Sequence, residues 1–462
     1  MRAFLPLVCA LVWAAAALVA RARGFSCVSD DDFARVAIAQ DFAAAPRLDP
    51  SGTSWLPFPF WTTGAAMMLF GRSLAVAQGV AVAMAAASGA LLFAAGRRLG
   101  LGPTSAALGA LLPLAIPLDR LLAAATVPEL PTAALVTYAV VAAARAPWSA
   151  AVCVLLACLS RYEAWPAAAW ACGTIAATSS GPRASRIGAA ATSIVGPLAW
   201  LAWNAHAHGD ALNFARRVAS YQTGLGRATN AASYGTSLLV EAGAIVLLAL
   251  VAVWALDAEA RHRFLGPLGG AALLLVAPTA AALFGGAPTH HPERAVVAVW
   301  TIAAIVAAGA GPEAAVAQAR VRPASLTLAG IALVLAQGAW RSPLTSAGLG
   351  PTRAEEIELG LSLGREIPAG ERFLLVPPSF GYLATIVASG RSADARVVVR
   401  REIDPRGDEP GDPMTSPERL SALAEREGAA WVIALPGQRE ALSRTGMAVR
   451  SVPGGAIARV VR

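Results

Sequence analysis

Residues 29–35 read Ser29-Asp30-Asp31-Asp32-Phe33-Ala34-Arg35, a short step beyond an apolar run near residues 3–20. Three adjacent carboxylates at a membrane exit repel one another and resist desolvation, so the cluster costs free energy unless something uses it. Every other acid in the first 340 residues stands alone or nearly so. Taking this run as the opening of an outer loop, just past a first membrane span, sets the reading of the rest.

The composition agrees with a membrane chain. Of the 462 residues, 56% are hydrophobic and 14% charged, and the mean hydropathy is +0.57. A soluble globular chain carries about 25% charged residues. The deficit lies before residue 341, where 14 acids and 21 arginines are found, against 15 acids and 16 arginines in residues 341–462. The sequence therefore predicts a polytopic membrane domain over 1–340 and a soluble domain over 341–462. All 37 basic residues are arginine, which excludes Schiff-base and Walker-type lysine chemistry. A GC-rich genome accounts for that bias. The net charge of +8 suits loops facing anionic lipid, and no basic stretch interleaved with aromatics argues for nucleic acid. The five cysteines give no disulfide framework.

A span needs roughly 20 apolar residues. Runs near 3–20, 73–95, 103–118, 130–146, 148–160, 163–178, 187–203, 234–256, 267–285, 295–311 and 324–340 make about eleven, and 148–178 is either two short spans or one long tilted helix. Arginines in short loops set the orientation. With the N-terminus in the cytoplasm, Arg97, Arg98, Arg145, Arg183, Arg186, Arg261, Arg263, Arg320 and Arg322 fall inside. Asp30 to Asp32 then lie outside, as does the tail. The first run also fits a cleaved signal peptide; an uncleaved helix is preferred, and either choice leaves the aspartates outside.

Between the spans, the loop at 21–60 holds a short helix at 30–45 and the interfacial stretch Trp55-Leu56-Pro57-Phe58-Pro59-Phe60-Trp61. The tail predicts strands at Arg372–Val376, Ala395–Val399 and Trp431–Leu435, with helices at Phe380–Ala388 and Pro417–Arg426. That order implies a small α/β unit. Neither GxGxxG nor a P-loop is present.

The polar residues assigned to the outer side are Asp30 to Asp32, Asp119, Glu129, Arg161 with Glu163, His206, His208, Arg216, Arg217, His290, His291 and Arg294. Carboxylates there can deprotonate an acceptor hydroxyl, and arginines can hold a phosphate by paired hydrogen bonds. This layout resembles the GT-C superfamily of integral-membrane glycosyltransferases, which includes protein O-mannosyltransferases and lipid A aminoarabinose transferases. Ser29 to Arg35 is similar to the acidic motif of that family's first outer loop, and Trp55-Leu56-Pro57 to a stretch later in the same loop. Where many relatives place a histidine soon after that proline, this chain has Phe58 and Pro59. Glu129 resembles the second acidic position, Arg161-Tyr162-Glu163 the Arg-x-Glu break after the fifth span, and Arg294 an arginine that begins a late span.

The resemblance implies an all-α polytopic membrane domain of GT-C type with a small C-terminal α/β extracytoplasmic domain, in the inner or plasma membrane. It also implies transfer of a sugar from a polyprenyl-phosphate donor to a glycan, lipid or protein acceptor. Asp31 or Asp32 would be the base, with Glu129, Arg161, Glu163 and Arg294 binding substrate. No particular cofactor is singled out; a divalent metal stays open, since the acids suit either role. Plainer readings stand beside these. Asp30 is the best N-cap of its helix. Asp119 reads equally as a solvated loop acid, Arg161 and Glu163 as a mutual pair, and the histidine pairs as interfacial side chains. A transporter or lipid flippase, and a non-enzymatic cell-envelope assembly protein, are the rival classes; the chain lacks the internal repeat that the transporter reading expects.

Overall fold

The computed structural model describes residues 4–178, 180–224, 230–283, 291–310, 352–404, 407 and 409–460. The apolar run at 324–340, Arg320, Arg322 and His290 lie outside the described residues. The α-helices in chain order are α1 Leu5–Ala22, α2 Asp31–Ala44, α3 Phe58–Phe70, α4 Leu74–Leu99, α5 Pro103–Leu111, α6 Pro117–Ala124, α7 Glu129–Ala142, α8 Pro147–Cys158, α9 Trp165–Thr178 and α10 Arg183–His208. They continue as α11 Asn213–Gly224, α12 Ala232–Ala255, α13 Ala258–Leu283, α14 Pro292–Ala295, α15 Val297–Ala307, α16 Ala354–Glu366, α17 Tyr382–Ser389, α18 Pro417–Arg426 and α19 Arg439–Arg444. The strands are β1 Phe373–Leu375, β2 Ala395–Val397, β3 Trp431–Ala434, β4 Val449–Val452 and β5 Gly455–Arg459.

The chain divides into two compact units, one of Met1–Arg23, Ser51–Pro59 and Ala81–Gly348, the other of Gly24–Pro50, Phe60–Val80 and Leu349–Arg462. Among the described residues, four helices, α1, α4, α12 and α13, are long and apolar enough to cross a membrane. A fifth span arises if α5 and α6, which meet at a 91° bend, are taken together, while α7, α8 and α15 are apolar but shorter. Leu11 and Leu18 of α1, Leu198 of α10 and Leu247 of α12 are exposed, as suits helices whose surroundings are lipid. The chain is an integral membrane protein, mostly helical, with one small sheet.

Small residues bring the helices of the first unit close. At Gly89 of α4, an added Cβ would lie 2.7 Å from the Cys9 carbonyl oxygen and 2.3 Å from the Trp13 ring. The backbone contact cannot yield by a rotamer change. Gly89→Ala is therefore expected to cost about 1–3 kcal/mol by overpacking, read as a lowered thermal midpoint of the purified protein in detergent. An unchanged midpoint would show that α1 is not held at this contact.

In the second unit the sheet order is β2-β1-β3-β5-β4. β1 runs parallel to β2 and β3, with Phe373 opposite Ala395 and Trp431, and β5 is antiparallel to β3 and β4. Parallel strands need both faces covered. Leu359, Leu363 and Ile386 from α16 and α17 pack with Phe373, Leu375 and Ile433. Leu420, Leu423 and Leu442 from α18 and α19 pack with Leu374, Val432 and Ala456. A further cluster joins Phe33, Val36 and Ala39 of α2 and Met67 of α3 to Ala384 and Val387 of α17. The first-loop helix thus shares its apolar face with the tail.

Candidate functional site

The aspartate run sits at the head of α2, within the second unit. Asp30 occupies the N-cap position, yet its side chain makes no capping hydrogen bond, contrary to the duty its sequence position suggests. The Arg353 guanidinium donates Nε and Nη2 to the two Asp30 oxygens at 2.9 Å each, a fork that outcompetes a backbone cap. Arg353 also donates Nη1 to Glu356 at 3.0 Å. Burial works against the Arg353 charge, but Asp30 and Glu356 outweigh it and hold the guanidinium above its ordinary value. Asp32 is buried, and its Oδ2 accepts from the Val28 and Ser29 amides at 3.0 and 3.4 Å. Asp31, in the first turn of α2, is half-buried. Of the three carboxylates, Asp32 is turned toward backbone and Asp30 toward arginine.

Glu129, Arg161, Glu163 and Arg294 come together in the first unit. Glu129 opens α7. Arg161 lies in the break between α8 and α9, with extended backbone (φ −151°, ψ 145°) that ends one helix before the short turn Tyr162–Ala164. Arg294 belongs to α14, a single turn ahead of α15. Glu129 Oε1 accepts from Arg161 Nη1 at 2.5 Å and from Arg294 Nε at 2.7 Å. Arg161 gives its Nε and Nη2 to Glu163 at 3.1 and 2.6 Å. The Glu129 side chain is fully buried and that of Arg294 is 5% exposed. Two acids and two arginines balance, which is what makes such burial tolerable.

The break is braced from several sides. The Phe58 amide donates to the Leu159 carbonyl at 3.0 Å, so the Trp55-Leu56-Pro57 stretch leads straight to it. Tyr162 stacks on Phe214 with ring centroids 4.1 Å apart and accepts from Trp200 Nε1 at 2.9 Å. Trp165 Nε1 donates to the Cys158 carbonyl at 3.1 Å. Trp165 and Trp200 thus lock this turn rather than forming a separate surface.

Asp119 is not a solvated loop acid. It is wholly buried and accepts from Trp300 Nε1 at 2.9 Å, because the 91° bend carries it into the helices. His206 and His208 are exposed at the end of α10, and His291 lies 3.1 Å from Glu293. Arg216 pairs with Asp210 at 3.1 Å and is mostly exposed. Among the described residues, no three His, Cys, Asp or Glu side chains gather where a metal ion could be held.

No protein-family profile matches the chain, and no curated protein sequence does either. Solved structures do match. ArnT from Cupriavidus metallidurans bound to undecaprenyl phosphate aligns at a TM-score of 0.60 and 13% identity, over 98% of each chain. The Archaeoglobus fulgidus oligosaccharyltransferase in its apo form aligns at 0.51 and 13%, over 95% of this chain and 71% of that one. AglB from the same archaeon, in complex with an inhibitory peptide and a dolichol-phosphate, aligns at 0.51 and 12%, over 95% and 70%. The fold is GT-C. At these identities the likeness carries the architecture and leaves the chemistry to the side chains.

Two residues of this GT-C fold escape a reading of the sequence. Arg353 falls in a stretch with no motif, 323 positions from its partner Asp30. Tyr234, near the start of α12, is fully buried and lies within electrostatic reach of Glu163 and Arg161. Its hydroxyl has no hydrogen-bond partner among the described residues. Nothing in the apolar run around it marks Tyr234 as more than packing. Chemically, the first unit offers two fixed guanidinium groups and a phenol for an anion, and the second offers the half-buried Asp31 carboxylate in the first turn of α2.

Proposed function

We propose that this protein is a membrane glycosyltransferase that moves a sugar from a polyprenyl-phosphate donor to an extracytoplasmic glycan, lipid or protein acceptor. The acceptor oxygen attacks the anomeric carbon, and the bond from that carbon to the phosphate oxygen breaks. Asp31 takes the acceptor's proton as general base, and polyprenyl phosphate leaves with the bonding electrons. Arg161 and Arg294 offset the charge that grows on the leaving phosphate, while Glu129 and Glu163 hold the two guanidinium groups in position. Residues 341–462 lie outside the membrane in this reading, and a full set of eleven spans has the shorter helices crossing as well.

The observation that carries the reading is the buried Glu129–Arg161–Glu163–Arg294 network, assembled from three separate elements. Ionisable groups among apolar helices are costly and are kept where they are used. Undecaprenyl phosphate and dolichol-phosphate, bound in two solved proteins of like fold, are donors' lipid carriers of the right chemistry. Asp31 is preferred over Asp32 because the Asp32 carboxylate is turned onto the Val28 and Ser29 amides.

The test is binding of undecaprenyl phosphate to the purified protein, followed by tryptophan fluorescence or calorimetry. Losing one charge-assisted contact is worth about 1.5–3 kcal/mol, so Arg161→Ala and Arg294→Ala should each weaken binding by roughly 10- to 100-fold. A native protein that does not bind the lipid phosphate, or variants that bind it as tightly as the native chain, would refute the donor assignment.

A further inference from the structure

We propose that Arg353 is a positioning residue, which through its fork on Asp30 fixes the first turn of α2 and so aims the Asp31 carboxylate. This rests on the reading of Asp31 as the base. Asp30 and Asp31 are adjacent, so whatever holds one carboxylate sets the backbone that carries the other. Because Asp30 does not cap its helix, the turn needs another anchor. The fork supplies it: two hydrogen bonds of 2.9 Å from one planar group define direction as well as distance. It also places a positive charge beside three adjacent carboxylates, which relieves their repulsion.

The anchor is itself built in. Arg353 stands at the N-cap of α16 and is tied to Glu356. Gly381, just ahead of α17, backs both groups closely. A Cβ there would come within 2.6 Å of Glu356 Oε1 and 2.8 Å of Arg353 Nη1. The far end of α2 is fastened to the same part of the chain. Gln40, wholly buried, donates to the Val387 carbonyl at 2.9 Å, and Ser392 Oγ lies 2.7 Å from Asp41 Oδ1. Between the two ends, Phe33, Val36 and Ala39 pack on Ala384 and Val387. The apolar contact chooses which face of α2 turns inward, and the contacts at Gln40 and Asp41 hold its C-terminal half. At the end that bears Asp31, Asp32 ties the turn to its own neighbours Val28 and Ser29, and the Asp30–Arg353 fork ties it to the tail. The tail of the chain is therefore part of the device that presents the base, not an appended binding module.

The experiment uses the full-length protein and two independent readouts. One is kcat and KM for a polyprenyl-phosphate sugar; the other is hydrogen–deuterium exchange of the amides at 31–34. A carboxylate displaced by about 1 Å loses on the order of 100-fold in rate. Arg353→Ala should lower kcat by roughly that factor, leave KM for the donor within about threefold, and speed exchange at 31–34. Arg353→Lys keeps the charge without the fork and should recover part of kcat. Exchanging the charges, Asp30→Arg with Arg353→Asp, should recover more and slow the exchange again. Should Arg353→Ala fail to fold, Gly381→Ala leaves both charges in place and should still lower kcat by crowding the guanidinium. Native kcat in Arg353→Ala, or a loss of kcat with exchange unchanged, would overturn the positioning role. Full activity of Asp31→Asn would instead overturn the base assignment and this role with it, and the exchange data would still show whether the fork holds the turn.

Discussion

Asp31→Asn should abolish sugar transfer while leaving the protein intact, and Asp32→Asn should do nearly the reverse. General base catalysis contributes about 10²- to 10⁴-fold, so Asp31→Asn is expected to lose kcat in that range. Asp31 is half-buried in the first turn of α2, and an amide of the same shape fits there without strain, so the thermal midpoint should hold. Asp32 is different. It is buried and accepts from the Val28 and Ser29 amides, so neutralising it weakens charge-assisted bonds that shape the chain ahead of α2. The expected cost is about 1 kcal/mol or somewhat more, seen as a lower midpoint, with kcat within about tenfold of native. The two variants differ by one position and the same chemistry, so nonspecific damage cannot produce the contrast. Equal loss of kcat in both, or loss in Asp32→Asn alone, would move the base by one residue; full activity in both would remove it from this helix.

Much of this arrangement was legible in the chain because it is local. The run Asp30-Asp31-Asp32 ahead of Phe33 announced a helix start, and α2 spans Asp31–Ala44 against an expected 30–45. Arg161-Tyr162-Glu163 between two apolar runs announced a helix break, and α8 and α9 are separate there. β1, β2 and β3 fall inside the three short runs of the tail; β1 and β3 are buried strands, which read as continuous hydrophobic segments, and β2 is a half-buried edge strand. Distant pairings left no such mark. Arg353 lies among charged residues that look solvated, and only folding brings it to Asp30. The β4–β5 hairpin passed unseen because β4 alternates with arginine and serine, Val449-Arg450-Ser451-Val452, and sits at the sheet edge. α16 was missed because Glu355, Glu356 and Glu358 hide the apolar stripe of Leu359 and Leu363. The sequence leaves Asp119 evenly between a site acid and a solvated loop acid, because an apolar run does not reveal a 91° bend within it. The motifs named the groups, and the partners of those groups had to come from the fold.

Glu129 is where stability and ligand chemistry meet, and its removal should have the second large effect. Its single oxygen Oε1 takes donors from both Arg161 and Arg294. Glu129→Gln leaves three of the four charges and takes from Arg161 and Arg294 the carboxylate they share. Breaking a buried ion pair by removing one partner costs about 3–5 kcal/mol, so a drop in thermal midpoint is expected that is larger than for Gly89→Ala or Asp32→Asn. Removing Arg294 as well, in Glu129→Gln with Arg294→Gln, restores the charge balance and should return part of that loss. A coupling of up to about 3 kcal/mol between the two sites is the corresponding magnitude. A structural ion network predicts that much and nothing more. A phosphate-holding network predicts one further result. In Glu129→Gln the arginines have lost the carboxylate that neutralised them, so undecaprenyl phosphate, which brings its own negative charge, should raise the midpoint of this variant more than that of the native chain. A ligand present at about 100 times its dissociation constant stabilises by roughly 2.7 kcal/mol, a shift well within measurement. If the lipid phosphate moves neither midpoint, the four side chains hold helices together and the donor binds elsewhere. If it rescues Glu129→Gln and fails to rescue Glu129→Gln with Arg294→Gln, Arg294 is the contact through which the phosphate acts.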